Sequence, residues 1–147
     1  MIGEDPLAVY AFHVEVDSIP IAQFKEVEGL TISVGVIEHR ANKLLGQPVI
    51  KKLAGATKVD DIILRRGKVN DQVFWDWIKD VQDGHIDKAR KTGSVVLFDY
   101  AHGEVTRFNF EAGWPSKVEI GKLQAGSDQV LLETVTITHE HLTVETK

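Results

Sequence analysis

Apolar and polar residues alternate with a period of two over residues 8–36, which is typical of strands that bury one face. Five apolar residues share one face of the first predicted strand: Ala8, Tyr10, Phe12, Val14 and Val16. The Ile19-Pro20 step interrupts this strand, and residues 21–26 predict a short returning strand. A third strand follows, with Leu30, Ile32, Val34 and Val36 on one face. The opening of the chain is therefore predicted to be a β-meander.

The periodicity is lost over residues 41–58, where Gly46, Pro48 and Gly55 interrupt the pattern and predict a long loop. A loop of this length is unusual in a compact domain and suggests a function of its own. It is also more apolar than a solvated loop requires, because it contains Leu44, Leu45, Val49, Ile50 and Leu53. We expect these five side chains either to contact a neighbouring subunit or to fold onto the core of their own chain.

One amphipathic helix is predicted between the strands. Its apolar stripe consists of Val73, Phe74, Trp77, Ile78 and Val81. Asn70 is a suitable N-cap, Val69 can pack against Phe74, and Gly84 can end the helix. Burial of each large side chain of the stripe against a sheet stabilises by roughly 1.5–3 kcal/mol. Trp75 lies off the stripe, so we expect it at the edge of the packing or exposed. The expected anchors of the core are Phe12, Phe74, Trp77, Phe108 and Phe110.

The remaining strands follow from alternation and turn residues. Residues 59–66 predict a strand, and residues 94–100 and 104–110 predict a hairpin that Trp114-Pro115 ends. In the last strand, residues 129–145, the apolar phase shifts across His139-Glu140-His141. A bulge or sharp bend near His139 accounts for this shift, since one extra residue reverses the facing of a strand. The fold class is therefore mainly β, an antiparallel barrel or sandwich with one flanking helix.

Length and composition restrict the function classes. The 147 residues, of which 43% are hydrophobic and 27% charged, suit one globular domain spanning residues 1–147. Cysteine is absent, which excludes disulfides and thiolate metal sites. The first residues resemble no signal peptide and no apolar run is long enough to span a bilayer, so we expect synthesis in the cytoplasm and no membrane insertion. A net charge of −5 without a basic cluster disfavours tight nucleic-acid binding.

Three groups of residues could carry chemistry, and each has a simpler interpretation. His139 and His141 project from one face of a regular strand, but a third metal ligand is not evident. Arg65-Arg66-Gly67 could bind phosphate, yet it lacks the glycine-rich approach to a helix, so ion pairing is favoured. The carboxylates Asp60, Asp61, Asp99 and Glu111 are expected on solvated strand faces. No catalytic residue, cofactor or metal is predicted.

The order of several short motifs resembles the inner-tube proteins of contractile phage tails and of extracellular contractile injection particles. These motifs are AFHVEV at 11–16, ILRRG at 63–67, FWDW at 74–77, GWPSK at 113–117 and ETVTITHE at 133–140. The resemblance covers nearly the whole chain. It implies a non-catalytic structural subunit that forms six-membered rings, and the rings stack into a tube around a central channel.

The same resemblance implies partners and a location. The expected partners are further copies of the chain, a sheath protein, baseplate and tip proteins, and a cargo effector or DNA in the lumen. The chain would be assembled into a virion or an extracellular injection particle. Two alternatives stay open: an Hcp-like secreted ring protein of type VI secretion, and a small β-barrel that binds a ligand or carries a histidine-dependent site.

Overall fold

A computed structural model of the chain describes residues 9–17, 19–42, 46–68, 70–100, 103–126 and 130–146. Within these residues the strands are β1 (Val9–Val16), β2 (Ile19–Phe24), β3 (Glu26–Glu28), β4 (Ile32–Asn42), β5 (Pro48–Val59), β6 (Ile62–Gly67), β7 (Lys91–Asp99), β8 (Gly103–Ile120), β9 (Leu132–Thr138) and β10 (His141–Thr146). The helices are α1 (Val73–Gln82) and the short α2 (Ile86–Ala89). The predicted mainly β, antiparallel fold with a flanking helix is confirmed, and α2 adds a single turn that the sequence pattern did not predict.

Eight strands form one antiparallel sheet in the order β2-β1-β7-β8-β9-β6-β3, with β10 also paired to β8. Its two end strands, β2 and β3, are joined through Lys25, whose N–H donates to the Arg65 carbonyl at 3.0 Å. One bent segment therefore connects both ends of the sheet and closes it around a single core. The predicted hairpin in the second half of the chain is the β7–β8 pair, with Asp99 opposite Gly103.

The longest strand, β8, does not end at Trp114-Pro115, so that prediction is wrong. Pro115 is fully buried within the strand, and a register shift between Pro115 and Lys117 accommodates it. A proline is tolerated at such an irregularity because the ladder is locally interrupted there. β8 thus pairs with β7 and β10 through its first part and with β9 through its second. The predicted bend near His139 is confirmed, since β9 ends at Thr138 and β10 begins at His141.

Ala112, in the middle of β8, has a φ of 52°, which L-residues other than glycine rarely adopt. Ala→Gly in a strand usually lowers stability by roughly 0.5–1 kcal/mol because glycine is more flexible when unfolded. At Ala112, glycine removes the steric strain of a left-handed backbone, and this gain offsets the loss. We therefore expect Ala112→Gly to leave the free energy of unfolding unchanged or raise it by up to about 1 kcal/mol. Urea denaturation tests this. Ala22→Gly in β2, also half-buried but with ordinary φ, is the matched control and should be destabilised.

Helix α1 packs its apolar stripe against the sheet. Phe74 and Trp77 are buried, as is Phe110 of β8, whereas Phe12 and Phe108 are partly buried and pack against the same cluster. The Trp77 indole N–H donates to the Ala89 carbonyl at 2.6 Å, which fastens α2 to α1.

The two ends of α1 differ in how well the sequence predicts them. Gly84, with φ of +82°, closes the C-terminus as predicted: its N–H donates to Val81 O and the N–H of His85 donates to Asp80 O, a Schellman motif. At the other end, Asn70 is not the N-cap, because the helix begins at Val73 after Gln72. The partner predicted to pack against Phe74, Val69, lies outside the described residues.

A buried arginine lies beside the start of α1. The Arg66 guanidinium, held between the rings of Phe24 and Phe74, donates to both carboxylate oxygens of Asp71, at 2.7 and 3.2 Å. It also donates to Glu133 Oε2 at 3.1 Å. Asp71 is therefore tied to the sheet, and its carboxylate also accepts a hydrogen bond from the Val73 N–H at the start of α1. Arg66 joins β6, β9 and the approach to α1 in one network.

Candidate assembly surface

Residues 41–42 and 48–58 are not part of a long loop, and that prediction is wrong. They are the end of β4 and most of β5, which form an antiparallel hairpin in which Asn42 pairs with Pro48 and Ile32 with Val59. The alternation of β5 is hidden in the sequence by Ala54-Gly55-Ala56, whose side chains are too small to mark a face. A register shift between Val34 and Val36 further interrupts the period.

This hairpin stands apart from the barrel. Among the described residues β4 and β5 form a two-stranded sheet of their own and make only sparse contacts with other elements. Its base touches the core through Val59, which packs against the buried cluster. A two-stranded hairpin alone is at best marginally stable in water. An extension of this length therefore needs a surface to lie against.

Both faces of the hairpin expose apolar side chains. Val36, which is 66% exposed, pairs with Ala54, and the next pair, Ile37 and Leu53, is 53% and 50% exposed. Because neighbouring residues of a strand point to opposite faces, Val36 and Ile37 present apolar surface on the two sides. Ile32 and Val34 extend the Val36 face towards the base of the hairpin.

The five side chains that the sequence singled out fall on both faces of this hairpin. Leu53 and the half-buried Val49 share the face of Ile37, whereas the exposed Ile50 lies on the opposite face with Val36. Leu44 and Leu45 lie outside the described residues. The sequence pattern missed Ile32, Val34, Val36 and Ile37, because alternation alone does not distinguish a strand that faces a core from one that faces another molecule. The run of exposed β-branched residues on both faces is the signal that could have identified them.

The hairpin also differs from the rest of the chain in charge. Its described residues include Arg40, Lys51, Lys52 and Lys58 but only one acidic residue, Glu38, which lies opposite Lys52. The whole chain has a net charge of −5, so the remainder is acidic. A basic apolar hairpin and an acidic body are complementary surfaces.

His139, considered above as a metal ligand, has a structural role. The buried His139 has its ring nitrogens 2.8 Å from the Asp60 carbonyl oxygen and 3.2 Å from that of His141, so it ties the β9–β10 bend to the base of the hairpin. The described residues contain no group of three or more His, Asp or Glu side chains placed to hold a metal ion. None of the helices in the described part of the chain is long and apolar enough to cross a membrane.

Arg65 and Arg66 form ion pairs, as expected. Arg65 bridges Glu26 and Glu28 across the β3–β6 pair, and Arg66 forms the buried network described above. Its hydrogen bonds hold the pKa of Asp71 below the usual value of 3.8. The Asp71 contribution to stability is therefore present above pH 3.8 and is lost as the pH falls through the lower folded-state pKa.

A third ion-pair network connects β8 with β1. Arg107 of β8 donates to Glu15 of β1 and, at 2.7 Å, to Glu104. These hydrogen bonds raise the pKa of Arg107 above its ordinary value. Because β7 lies between β1 and β8, this contact reinforces the barrel across an intervening strand.

Comparisons with known proteins agree with this architecture. The family model of the T4-like virus tail tube protein gp19 matches residues 9–143. A chain of the PVC sheath–tube complex, an extracellular contractile injection system in its extended state, is 24% identical, with a TM-score of 0.80 over 98% of this chain and 94% of that one. A chain in the structure of the anti-feeding prophage tube-terminating cap is 19% identical, with a TM-score of 0.81 over 100% of this chain and 95% of that chain.

A more distant likeness extends to secreted ring proteins. Hcp1 from Flavobacterium johnsoniae is 15% identical, with a TM-score of 0.55 over 94% of this chain and 97% of that one. A comparison with curated protein sequences gave no significant match. The family match spans nearly all of the described residues, and the chain belongs to the T4-like virus tail tube protein gp19 family of structural tube proteins.

Proposed function

We propose that this tube protein assembles into six-membered rings, that the rings stack into a hollow tube inside a contractile sheath, and that the chain has no catalytic activity of its own. The observation that carries the proposal is the β4–β5 hairpin. It belongs to a tail tube protein, exposes apolar side chains on both faces and has no cover within the described residues. Further copies of the same chain are the cover proposed here.

The hairpin is the proposed contact between copies. Ile50 and Val36 on one face and Val49, Leu53 and Ile37 on the other would be buried, and Leu44 and Leu45, which lie between the two strands in sequence, belong to the same proposal. Each large apolar side chain that becomes fully buried contributes roughly 1.5–3 kcal/mol. Since the two faces point in opposite directions, the hairpin would lie between two neighbouring copies. Its positive charge would approach the acidic body of a neighbour.

The proposed partners follow from the kind of assembly. They are a sheath protein around the tube, baseplate and tip proteins at one end, and a cargo effector or DNA in the lumen. A similar chain in a sheath–tube complex supports the sheath partner, and a similar chain in the anti-feeding prophage baseplate supports the baseplate partner. The proposed location is a virion or an extracellular injection particle, after synthesis in the cytoplasm.

An Hcp-like ring protein of type VI secretion is a second candidate function, and the similarity to Hcp1 favours it to a smaller degree. The TM-score of 0.55 for Hcp1 is well below the 0.80 for the sheath–tube chain. The sheath partner distinguishes the two functions, and co-expression with the sheath protein of each system followed by co-purification would identify it.

Charge placed on the apolar hairpin tests the assembly proposal. The double variant Ile37→Asp, Leu53→Asp puts two like charges opposite each other at an exposed pair, which would disrupt a buried contact but not the barrel core. We expect light scattering to show large assemblies for the unmodified chain and a strongly reduced average mass for the variant, with unchanged far-ultraviolet circular dichroism. Trp75→Ser, at the partly exposed Trp75 on α1, is the control and should assemble normally. Normal assembly of the double variant would contradict the role of the hairpin.

A further inference from the structure

The C-terminus of α1 contains Asp83-Gly84, the single Asp-Gly step of the sequence. Both residues are exposed. Glycine has no side chain to screen its main-chain nitrogen. Apart from the chain neighbours of Gly84, no heavy atom of the described residues lies within 4 Å of the position that a Cβ would take there. The main-chain nitrogen that follows Asp83 is therefore sterically accessible.

An aspartate beside such a nitrogen can isomerise without an enzyme or a cofactor. The Gly84 nitrogen attacks Cγ of the protonated Asp83 carboxyl group. An N–Cγ bond forms, and the amide proton and the carboxyl hydroxyl leave as one water molecule, which gives a cyclic imide. Water then opens the ring. Cleavage of the new N–Cγ bond restores aspartate, whereas cleavage of the bond to the main-chain carbonyl carbon gives isoaspartate, which has the mass of the original chain.

The folded structure opposes the first step in two ways. Asp83 has a φ of −81° and a ψ of 1°, so the Gly84 nitrogen lies beside the Asp83 nitrogen and is turned away from the Cβ–Cγ bond. Attack requires a rotation about ψ that brings the Gly84 nitrogen next to Cβ. The Gly84 N–H also donates to the Val81 carbonyl at 3.1 Å, and the His85 N–H donates to the Asp80 carbonyl at 2.9 Å. Both hydrogen bonds have to break before this rotation.

The end of α1 is held by few buried contacts. The chain continues from it into α2, which has four residues, and Ala89 is the buried residue of that helix. The Trp77 indole N–H donates to the Ala89 carbonyl at 2.6 Å. Short elements with few buried contacts open at a lower free energy than the core of a domain. The helix end therefore opens more readily than the barrel unfolds.

We infer that Asp83-Gly84 is a modification site at which aspartate isomerises to isoaspartate when the end of α1 opens, and that the closed helix end keeps the site unreactive. Isoaspartate adds one methylene group to the main chain. The lengthened chain cannot keep both hydrogen bonds of the Schellman motif, and α2 is displaced from Trp77. The modification therefore holds open the same helix end whose closure prevents it. This inference does not rest on the proposed tube function.

Peptide mapping by liquid chromatography and mass spectrometry separates aspartate and isoaspartate peptides of equal mass. The unmodified chain is incubated at mildly acidic pH, folded in buffer and unfolded in urea. We expect isoaspartate at Asp83 to form at least about tenfold more slowly in the folded chain, which corresponds to an opening free energy of about 1.4 kcal/mol. Asp83→Glu is the control, because glutamate forms the larger ring far more slowly. An isoaspartate signal of unchanged size in this variant would overturn the assignment to Asp83.

Two tryptophan variants test the part that the helix end plays. Trp77→Phe keeps an aromatic ring in the core but removes the N–H that binds the Ala89 carbonyl, whereas Trp75→Phe changes a partly exposed ring and keeps that hydrogen bond. Urea denaturation first gives the fraction of each variant that is globally unfolded. Beyond that fraction, we expect the folded Trp77 variant to isomerise several-fold faster than the folded Trp75 variant, since α2 is released more easily.

Three results would overturn the inference. Equal rates in the folded and the urea-unfolded chain would show that the helix end does not protect Asp83. No isoaspartate in the unfolded chain would show that Asp83-Gly84 is not a reactive site. Equal rates in the two tryptophan variants, after correction for global unfolding, would show that release of α2 does not control the reaction.

Discussion

Glu133→Ala is expected to lower the free energy of unfolding by about 3 kcal/mol, since removal of one partner of a buried ion pair leaves the other charge uncompensated. Glu133 is 0% exposed and accepts a hydrogen bond from Arg66, which is itself buried. Because Arg66 keeps its bidentate contact with Asp71 in the variant, we expect the loss at the lower end of the usual range of roughly 3–5 kcal/mol. Urea denaturation measures this change.

The matched control is Glu119→Ala on β8, whose partner Lys117 is largely exposed. An exposed pair contributes roughly 0–1 kcal/mol, so this variant should unfold close to the unmodified chain. Equal losses for Glu133→Ala and Glu119→Ala would contradict the structural role of the Arg66 network. Glu133 Oε1 is buried and has no hydrogen-bond partner among the described residues. The Glu133 carboxylate therefore has only part of its hydrogen-bonding capacity satisfied, and Glu133→Gln should be less damaging than Glu133→Ala.

Phe110→Ala is expected to lower the free energy of unfolding by about 3–5 kcal/mol, the usual cost of removing a fully buried aromatic side chain. Phe110 is 0% exposed, and its ring lies so close to Gly93 and Gly113 that a Cβ at either glycine would approach ring atoms within 2.5 Å. Two glycines thus leave space for one ring, and neither has a side chain that could fill the cavity left by the substitution.

Thermal or urea unfolding of the Phe110 variant gives the measurement, and Phe108→Ala is the control. Phe108 lies two residues earlier on β8 and is only partly buried. Its removal should cost less, because less apolar surface is lost from the core and solvent or neighbouring side chains can occupy the space. A Phe108 variant that is as unstable as the Phe110 variant would contradict the placement of the core at Phe110.

The sequence predicts those parts of the fold whose periodicity and turn residues lie within one continuous segment of the chain. The α1 stripe, the Gly84 terminus and the β7–β8 hairpin combine periodicity with turn chemistry, and each is confirmed. The bend near His139 is also confirmed, because a shift of apolar phase within one strand requires an irregularity. These features depend on neighbouring residues and need no knowledge of the rest of the molecule.

Features that depend on distant partners were not predictable in this way. The Arg66–Asp71 contact beside the start of α1 joins residues of the sheet and the helix approach, and β8 passes through Pro115 where its pairing changes from β7 to β9. The apolar character of the β4–β5 hairpin was predicted from the sequence, but its strand form was not. Val49, Ile50 and Leu53 lie on the projecting hairpin, yet their strand was hidden by Ala54-Gly55-Ala56.

Electron microscopy of the purified chain tests the central claim most directly. The β4–β5 hairpin exposes apolar side chains on both faces, and the chain belongs to a family of tube proteins. We therefore expect hollow rings of six-fold symmetry, stacked into tubes at high concentration. Particles that stay monomeric over a wide concentration range, or that form closed two-fold dimers, would contradict the self-assembling tube subunit.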